Sequence, residues 1–255
     1  MLAGAMVAEL FSIPAKNLRP LLTRLKADIE SWRKGSTWSG DSETLKEYLK
    51  QNKIDPKSDP RYKDFYVKQR HNVAGSYTWR YTNLFKFADK ADEPSNADKL
   101  LWIDVLVVAQ FSISSSDQVI ITTDSIYDDC EVWVFLDNSY LSRAWCLAEG
   151  AKYSTPSSKC VLVVSGSAEF KPGTDFFSDM QAGQQGDIPL IQQHVLAKYG
   201  SRERFNQAVD AAVVRLSAWS LIYQGRYGEA LHACEAEIQF LQGSAAEQSR
   251  CCSEL

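Results

Sequence analysis

Residues 131–150 read EVWVFLDNSYLSRAWCLAEG. The first seven, EVWVFLD, are rich in Val, Trp, Phe and Leu with polar residues only at the ends, the composition of a strand buried on both faces. Asp137-Asn138 ends the strand, and Ser139 or Ser142 is placed to cap a helix that follows. Within that helix Trp145 and Glu149 are four residues apart and share a face, with Cys146 and Ala148 turned aside. A carboxylate thus stands inside a helix, beside an indole, just after the carboxyl end of a buried strand. In open α/β sheets that end of the strands is where ligands bind.

Three further runs have strand character: 72–77 (NVAGSY), 100–108 (LLWIDVLVV) and 160–165 (CVLVVS). They alternate with polar, helix-compatible segments, the pattern of a layered α/β structure in which helices cover both faces of a parallel sheet. The expected fold is a flavodoxin-like three-layer α/β arrangement with a central, mainly parallel sheet. In front of it, Leu18, Leu21, Leu22, Leu25, Ile29 and Trp32 recur at helical spacing over 17–34, which Gly35 stops. A second helix is predicted from Ser42 to Gln51, opened by the Asp41/Ser42 cap signal and closed by Asp55-Pro56 and Asp59-Pro60. Behind the sheet, residues 201–222 and 226–242 read as helices. The predicted organisation is an N-terminal helical appendage and linker (1–60), an α/β domain (61–217), a C-terminal helical hairpin (218–243) and a flexible tail (244–255).

Composition narrows the function classes. The 255 residues carry 28 basic and 32 acidic side chains, and 45% are hydrophobic, so a sizeable core is available. The longest apolar run, Val105 to Ala109, is far short of the roughly 20 residues that cross a bilayer, so no membrane span is expected. Met1 to Ala8 is apolar, but no basic segment precedes it and Glu9 interrupts it, so no signal peptide is expected either. The six cysteines form no CxxC and the three histidines are dispersed, which predicts neither a zinc site nor a disulfide framework and suits a reducing, cytoplasmic location. Net acidity without a Lys/Arg cluster argues against nucleic acid as a partner. His71, His194 and His232 are expected at the surface or in hydrogen-bonded half-buried positions, and Cys146 as a small buried hydrophobe.

Ser142-Arg143-Ala144-Trp145-Cys146-Leu147-Ala148-Glu149 resembles the S-x-x-W-C-x-x-E element of Toll/interleukin-1-receptor (TIR) domains. The order Ser76-Tyr77-Thr78-Trp79-Arg80-Tyr81, then Leu101-Trp102-Ile103-Asp104-Val105 ending in Gln110, then the RAWCLAE helix, is similar to TIR-like domains of protist and algal proteins. Those often carry SHAW at the first position and WIDxxxxxQ at the second. Tyr199-Gly200 followed by Phe205-Asn206 matches a downstream element, so the resemblance covers about 72–215. It departs at Tyr77-Thr78, where His-Ala is usual, and at Val107-Val108-Ala109, which replaces a more polar run.

The resemblance implies a TIR-like fold and, in catalytically active members, cleavage of NAD, with NAD as substrate and no cofactor or metal. Glu149 stands where the glutamate that supports nicotinamide loss is found. Breaking an N-glycosidic bond creates a cationic, oxocarbenium-like sugar that one ionised carboxylate stabilises, as in glycoside hydrolysis. Nicotinamide is already a cationic leaving group and needs no strong acid. Trp79, Arg80 and Asp104 stand near the ends of the first two strands as candidate contacts to the dinucleotide: Trp79 by stacking, Arg80 by pairing with phosphate. Trp145 is assigned to packing. Other TIR domains keep this element and act only as scaffolds, so self-association through the domain is the alternative reading. A nucleotide-sensing receiver domain would need an acidic pair after the first strand, which Tyr77-Thr78-Trp79 does not offer.

Leu221-Ile222-Tyr223-Gln224-Gly225-Arg226-Tyr227-Gly228-Glu229-Ala230-Leu231 is similar to the helix–Gly–helix core of a tetratricopeptide repeat, implying protein partners for the C-terminal helices. A single such unit cannot bury its own face. Cys252-Ser253-Glu254-Leu255 has the length of a prenylation box but lacks its aliphatic residues.

Overall fold

The structure, a computed structural model, describes residues 11–78, 83–109, 126–127, 130–136, 139–154, 160–165, 173–182, 186–232 and 234–235. They fall into two compact units, residues 1–135 with 159–164, and residues 136–158 with 165–255.

The first unit is built on a five-stranded mixed sheet in the order β1-β3-β2-β4-β5. These strands are Ile13–Pro14 (β1), Val73–Ser76 (β2), Leu100–Trp102 (β3), Glu131–Leu136 (β4) and Cys160–Ser165 (β5). β2 is parallel to both neighbours, with Val73 opposite Leu101 on one side and Glu131 on the other, while β1 runs antiparallel along β3. The architecture is α/β with helices around the sheet. β2 lies between β3 and β4, the flavodoxin-like order in which the first central strand marks the switch point. Val132, Trp133 and Val134 are fully buried, as expected for a central strand covered on both faces.

Two expectations about this unit change. Of the run 100–108, only Leu100–Trp102 is strand; Asp104–Val107 is a helical turn, α4. Asp104 is the first residue of the turn and accepts the N–H of Val105 at 2.7 Å, and a continuous apolar run is compatible with either buried state. Residues 11–60, expected as an appendage, lie in the same unit as the sheet. Ile13 and Pro14 add its antiparallel edge, and helix α1 (Ala15–Trp32) packs on α3 (Phe85–Ala91). Leu18, Leu21, Leu22, Leu25 and Ile29 of α1 are fully buried, each contributing about 1.5–3 kcal/mol relative to exposure. Arg19 adds ion pairs to Asp92 and, at 2.7 Å, to Asp89 of α3. Gly35, at φ +89°, closes α1 by donating to Glu30 O at 2.8 Å. Helix α2 (Ser42–Gln51) opens on the Asp41 carboxylate, which accepts the Thr44 N–H at 2.7 Å.

The second unit is helical among the described residues. Helix α5 (Ala144–Gly150) packs against α7 (Asp187–Tyr199) and α8 (Arg202–Tyr223), with the short α6 (Phe176–Asp179) on α8. Tyr199-Gly200 and Phe205-Asn206 acquire a structural reason here. Gly200, at φ +80°, ends α7, and Ser201 caps α8 by accepting the Arg204 N–H at 3.2 Å. The buried Phe205 ring meets Tyr199 at 5.6 Å and Phe177 at 6.3 Å. Asn206 accepts the Phe177 N–H and donates to Asp175, both at 2.9 Å, while Arg202 pairs with the same Asp175. α8 runs unbroken to Tyr223, through the boundary drawn at 217/218. Gly225, at φ +73°, then turns the chain into residues 227–232, which are helical. The rest of the hairpin beyond 235, the tail and Cys252–Leu255 lie outside the described residues.

Candidate functional site

Asp104 lies two residues beyond the end of β3, at the carboxyl end of the sheet in the first unit. Its Oδ1 accepts the Val105 N–H at 2.7 Å and the hydroxyl of Tyr77, which leaves the carboxyl end of β2. Tyr77 is itself buried, its ring edge-on to Phe87 at 5.5 Å. A phenol donating to a carboxylate is a charge-assisted bond, and it fixes the rotamer of Asp104. Ser76 and Thr78, flanking Tyr77, are buried too. Nearby along the same strand, Tyr127 donates to Gly75 O at 2.7 Å, and Tyr66 donates to Leu106 O of α4 at 2.9 Å. Three tyrosines therefore tie off the backbone and the carboxylate at this end of β2 and β3. The expected site residues Trp79 and Arg80 lie outside the described residues.

Glu149 belongs to the second unit, in the last turn of α5, and is half-buried. Trp145, one turn earlier, is also half-buried, and its indole N–H reaches Asp187 Oδ2 at 3.4 Å, joining α5 to the first residue of α7. Cys146, Leu147 and Gly150 are buried, whereas Ala148, expected to turn aside, is half-buried like Trp145 and Glu149, one turn of helix placing all three on the more open face. The start of α5 differs from expectation. Neither Ser139 nor Ser142 caps it: Ser142 donates its hydroxyl to Ser139 O at 2.9 Å inside a 3₁₀ turn, Tyr140–Ser142. The first free donor of the helix, Ala144 N–H, goes instead to Gln181 O at 2.8 Å, and Gln181 N–H returns to Ser142 O at 2.7 Å. A backbone bridge from a distant segment thus replaces the side-chain cap.

Asp104 and Glu149 are each held by their own unit. Tyr77, noted in the sequence only as a departure from His-Ala, is the partner that orients Asp104; a contact across 27 residues leaves no local pattern. Among the described residues, no group of three or more His, Cys, Asp or Glu is arranged to hold a metal ion, and no helix is long and apolar enough to cross a membrane. No protein-family model, no curated protein and no solved structure matches the chain.

Proposed function

We propose that this chain is a TIR-like domain that cleaves the nicotinamide–ribose bond of NAD, with Glu149 as the carboxylate that stabilises the ribosyl cation. Trp79, Arg80 and Asp104 are the proposed contacts to the dinucleotide. The observation that carries the reading is the half-buried Glu149 in the short helix that follows β4, one turn after Trp145, in a chain whose sheet has the order β3-β2-β4-β5. In the reaction the C1′–N bond breaks and its electron pair leaves with nicotinamide, which becomes neutral. Water then adds to C1′ and loses a proton, giving ADP-ribose. The substrate has a positively charged ring and the transition state a positively charged sugar, so a fixed negative charge acts on the reacting centre without transferring a proton.

The test is nicotinamide release from NAD by the full chain and by Glu149→Gln, at low and high protein concentration. Removing the charge while keeping the shape is expected to slow release by about 10²-fold or more. Equal release by both proteins, or none by either at high concentration, overturns the enzymatic reading.

A second reading, a non-catalytic adaptor acting through self-association and C-terminal helices, draws on a different observation. Trp219, Ile222, Tyr227 and Leu231 are large apolar residues exposed by 40–67% within the helix–turn–helix at 219–231. Concentrated exposure of that kind marks protein-binding surfaces.

A further inference from the structure

His71 stands two residues before the start of β2 and is only 5% exposed, contrary to the surface or hydrogen-bonded position expected for it. Its Nδ1 is buried and has no hydrogen-bond partner among the described residues. The imidazole lies against the Trp102 ring of β3, 6.2 Å between centroids. The backbone here is a junction of three strands. Asn72 donates its N–H to Leu100 O at 3.0 Å and accepts the Leu100 N–H on its side-chain oxygen at 2.9 Å. On the other side, its carbonyl accepts the Glu131 N–H at 3.0 Å, and the His71 carbonyl accepts the Cys130 thiol at 3.7 Å. Residues 71 and 72 therefore pin the amino end of β2 to β3 and to β4 at once.

The charged and titratable groups around this pin offer a protonated imidazole no counter-charge among the described residues. On its own segment the neighbour is Arg70, a like charge. Before β3 stands Lys99 and at the head of β4 stands Glu131; they pair with each other at 3.0 Å, and Glu131 also accepts the Trp133 indole N–H at 2.7 Å. Cys130 directs its thiol proton to the backbone, and on the β1 side Ser12 donates its hydroxyl to Gln69 O at 2.6 Å.

We propose that His71 makes this three-strand pin acid-sensitive: protonating its imidazole places against Trp102 a charge that meets no carboxylate among the described residues, and releases the register of β2 with β3 and β4 at their amino ends. Burial first, and the Arg70 charge second, hold the His71 imidazole below its ordinary value. The sign follows. In the unfolded chain the imidazole takes a proton near pH 6.5, whereas the native site resists it, so the unfolded state binds more protons below about pH 6.5. The stabilisation is complete above that value, falls as pH drops toward the lower native value, and is constant again beneath it.

The experiment follows amide exchange at Val73, Leu101 and Val132 in the full chain, corrected for intrinsic rates, between about pH 7 and about pH 5, for the wild type, His71→Phe and His71→Gln. The wild type is expected to lose protection by up to about tenfold per pKa unit by which the native imidazole lies below its unfolded value. Both substitutions are expected to flatten that dependence. The His71 imidazole resonance in the wild type is titrated in parallel, and decides the matter if neither variant folds. A midpoint at or above about pH 6.5, or the same loss of protection in His71→Phe as in the wild type, overturns the proposal.

Discussion

The hydroxyl of Tyr77 donates to Asp104 Oδ1, joining the carboxyl end of β2 to the turn that follows β3. Hydrogen bonds to a charged group contribute about 1.5–3 kcal/mol when buried, and Asp104 is half-exposed, so water recovers part of that. Tyr77→Phe is expected to lower stability by about 1 kcal/mol, read as a lower urea midpoint at unchanged slope. Asp104→Asn keeps an acceptor for the phenol and is expected to cost less. An unchanged midpoint in Tyr77→Phe would show that the bond does not hold these strand ends together.

Gly40 and Gly35 make a matched pair. Both have φ near +90°, but an added Cβ at Gly35 meets nothing within 4 Å, whereas at Gly40 it would lie 2.6 Å from Asn83 Oδ1 and 2.9 Å from Phe85 Cδ2. Asn83 Oδ1 is occupied in accepting the Phe85 N–H, and Gly40 O accepts the Leu84 N–H, both at 2.9 Å, so the start of α3 is built on this contact. Gly35→Ala is expected to cost about 1 kcal/mol from backbone conformation alone, and Gly40→Ala about 2 kcal/mol or more. Thermal unfolding of the two variants side by side checks this, and equal shifts would refute the steric part.

Asn206 bonds to the backbone of Phe177 and to the Asp175 carboxylate from α8. Asn206→Ala leaves the Phe177 N–H without its partner and is expected to cost about 1–3 kcal/mol, with faster amide exchange confined to residues 175–179 at first. Asn206→Asp restores the acceptor but sets two carboxylates against each other. It is expected to be worse at neutral pH and to recover toward about pH 4, where one of the pair takes a proton. A pH-independent loss would mean that the Asp175 contact carries no energy.

Long apolar runs made most of the sheet legible. Glu131–Leu136 and Cys160–Ser165 lie where their Val- and Leu-rich composition puts them, and α2 spans the residues its cap and breakers mark out. The same signal misleads at Asp104–Val107, because burial on all sides looks alike in a strand and in one turn of helix. β1 could not be read at all: two residues, Ile13–Pro14, carry no periodicity, and their state is decided by Leu100 and Leu101 far along the chain. At the candidate site, the shared face of Trp145 and Glu149 followed from spacing. The Gln181 bridge that starts their helix and the Tyr77–Asp104 bond did not, since both join segments that only the tertiary fold brings together.

The β1 side of the sheet is closed. Ile13 and Pro14 face β3, and on their outer side Ser12 exchanges both backbone bonds with Val67, at 3.0 and 2.9 Å. Pro14 has no N–H to offer, and Ala15 turns at once into a helix after donating to Lys99 O. An incoming extended polypeptide would find no ladder to lengthen there, so this margin of the sheet is protected against the strand-by-strand recruitment that seeds fibrils.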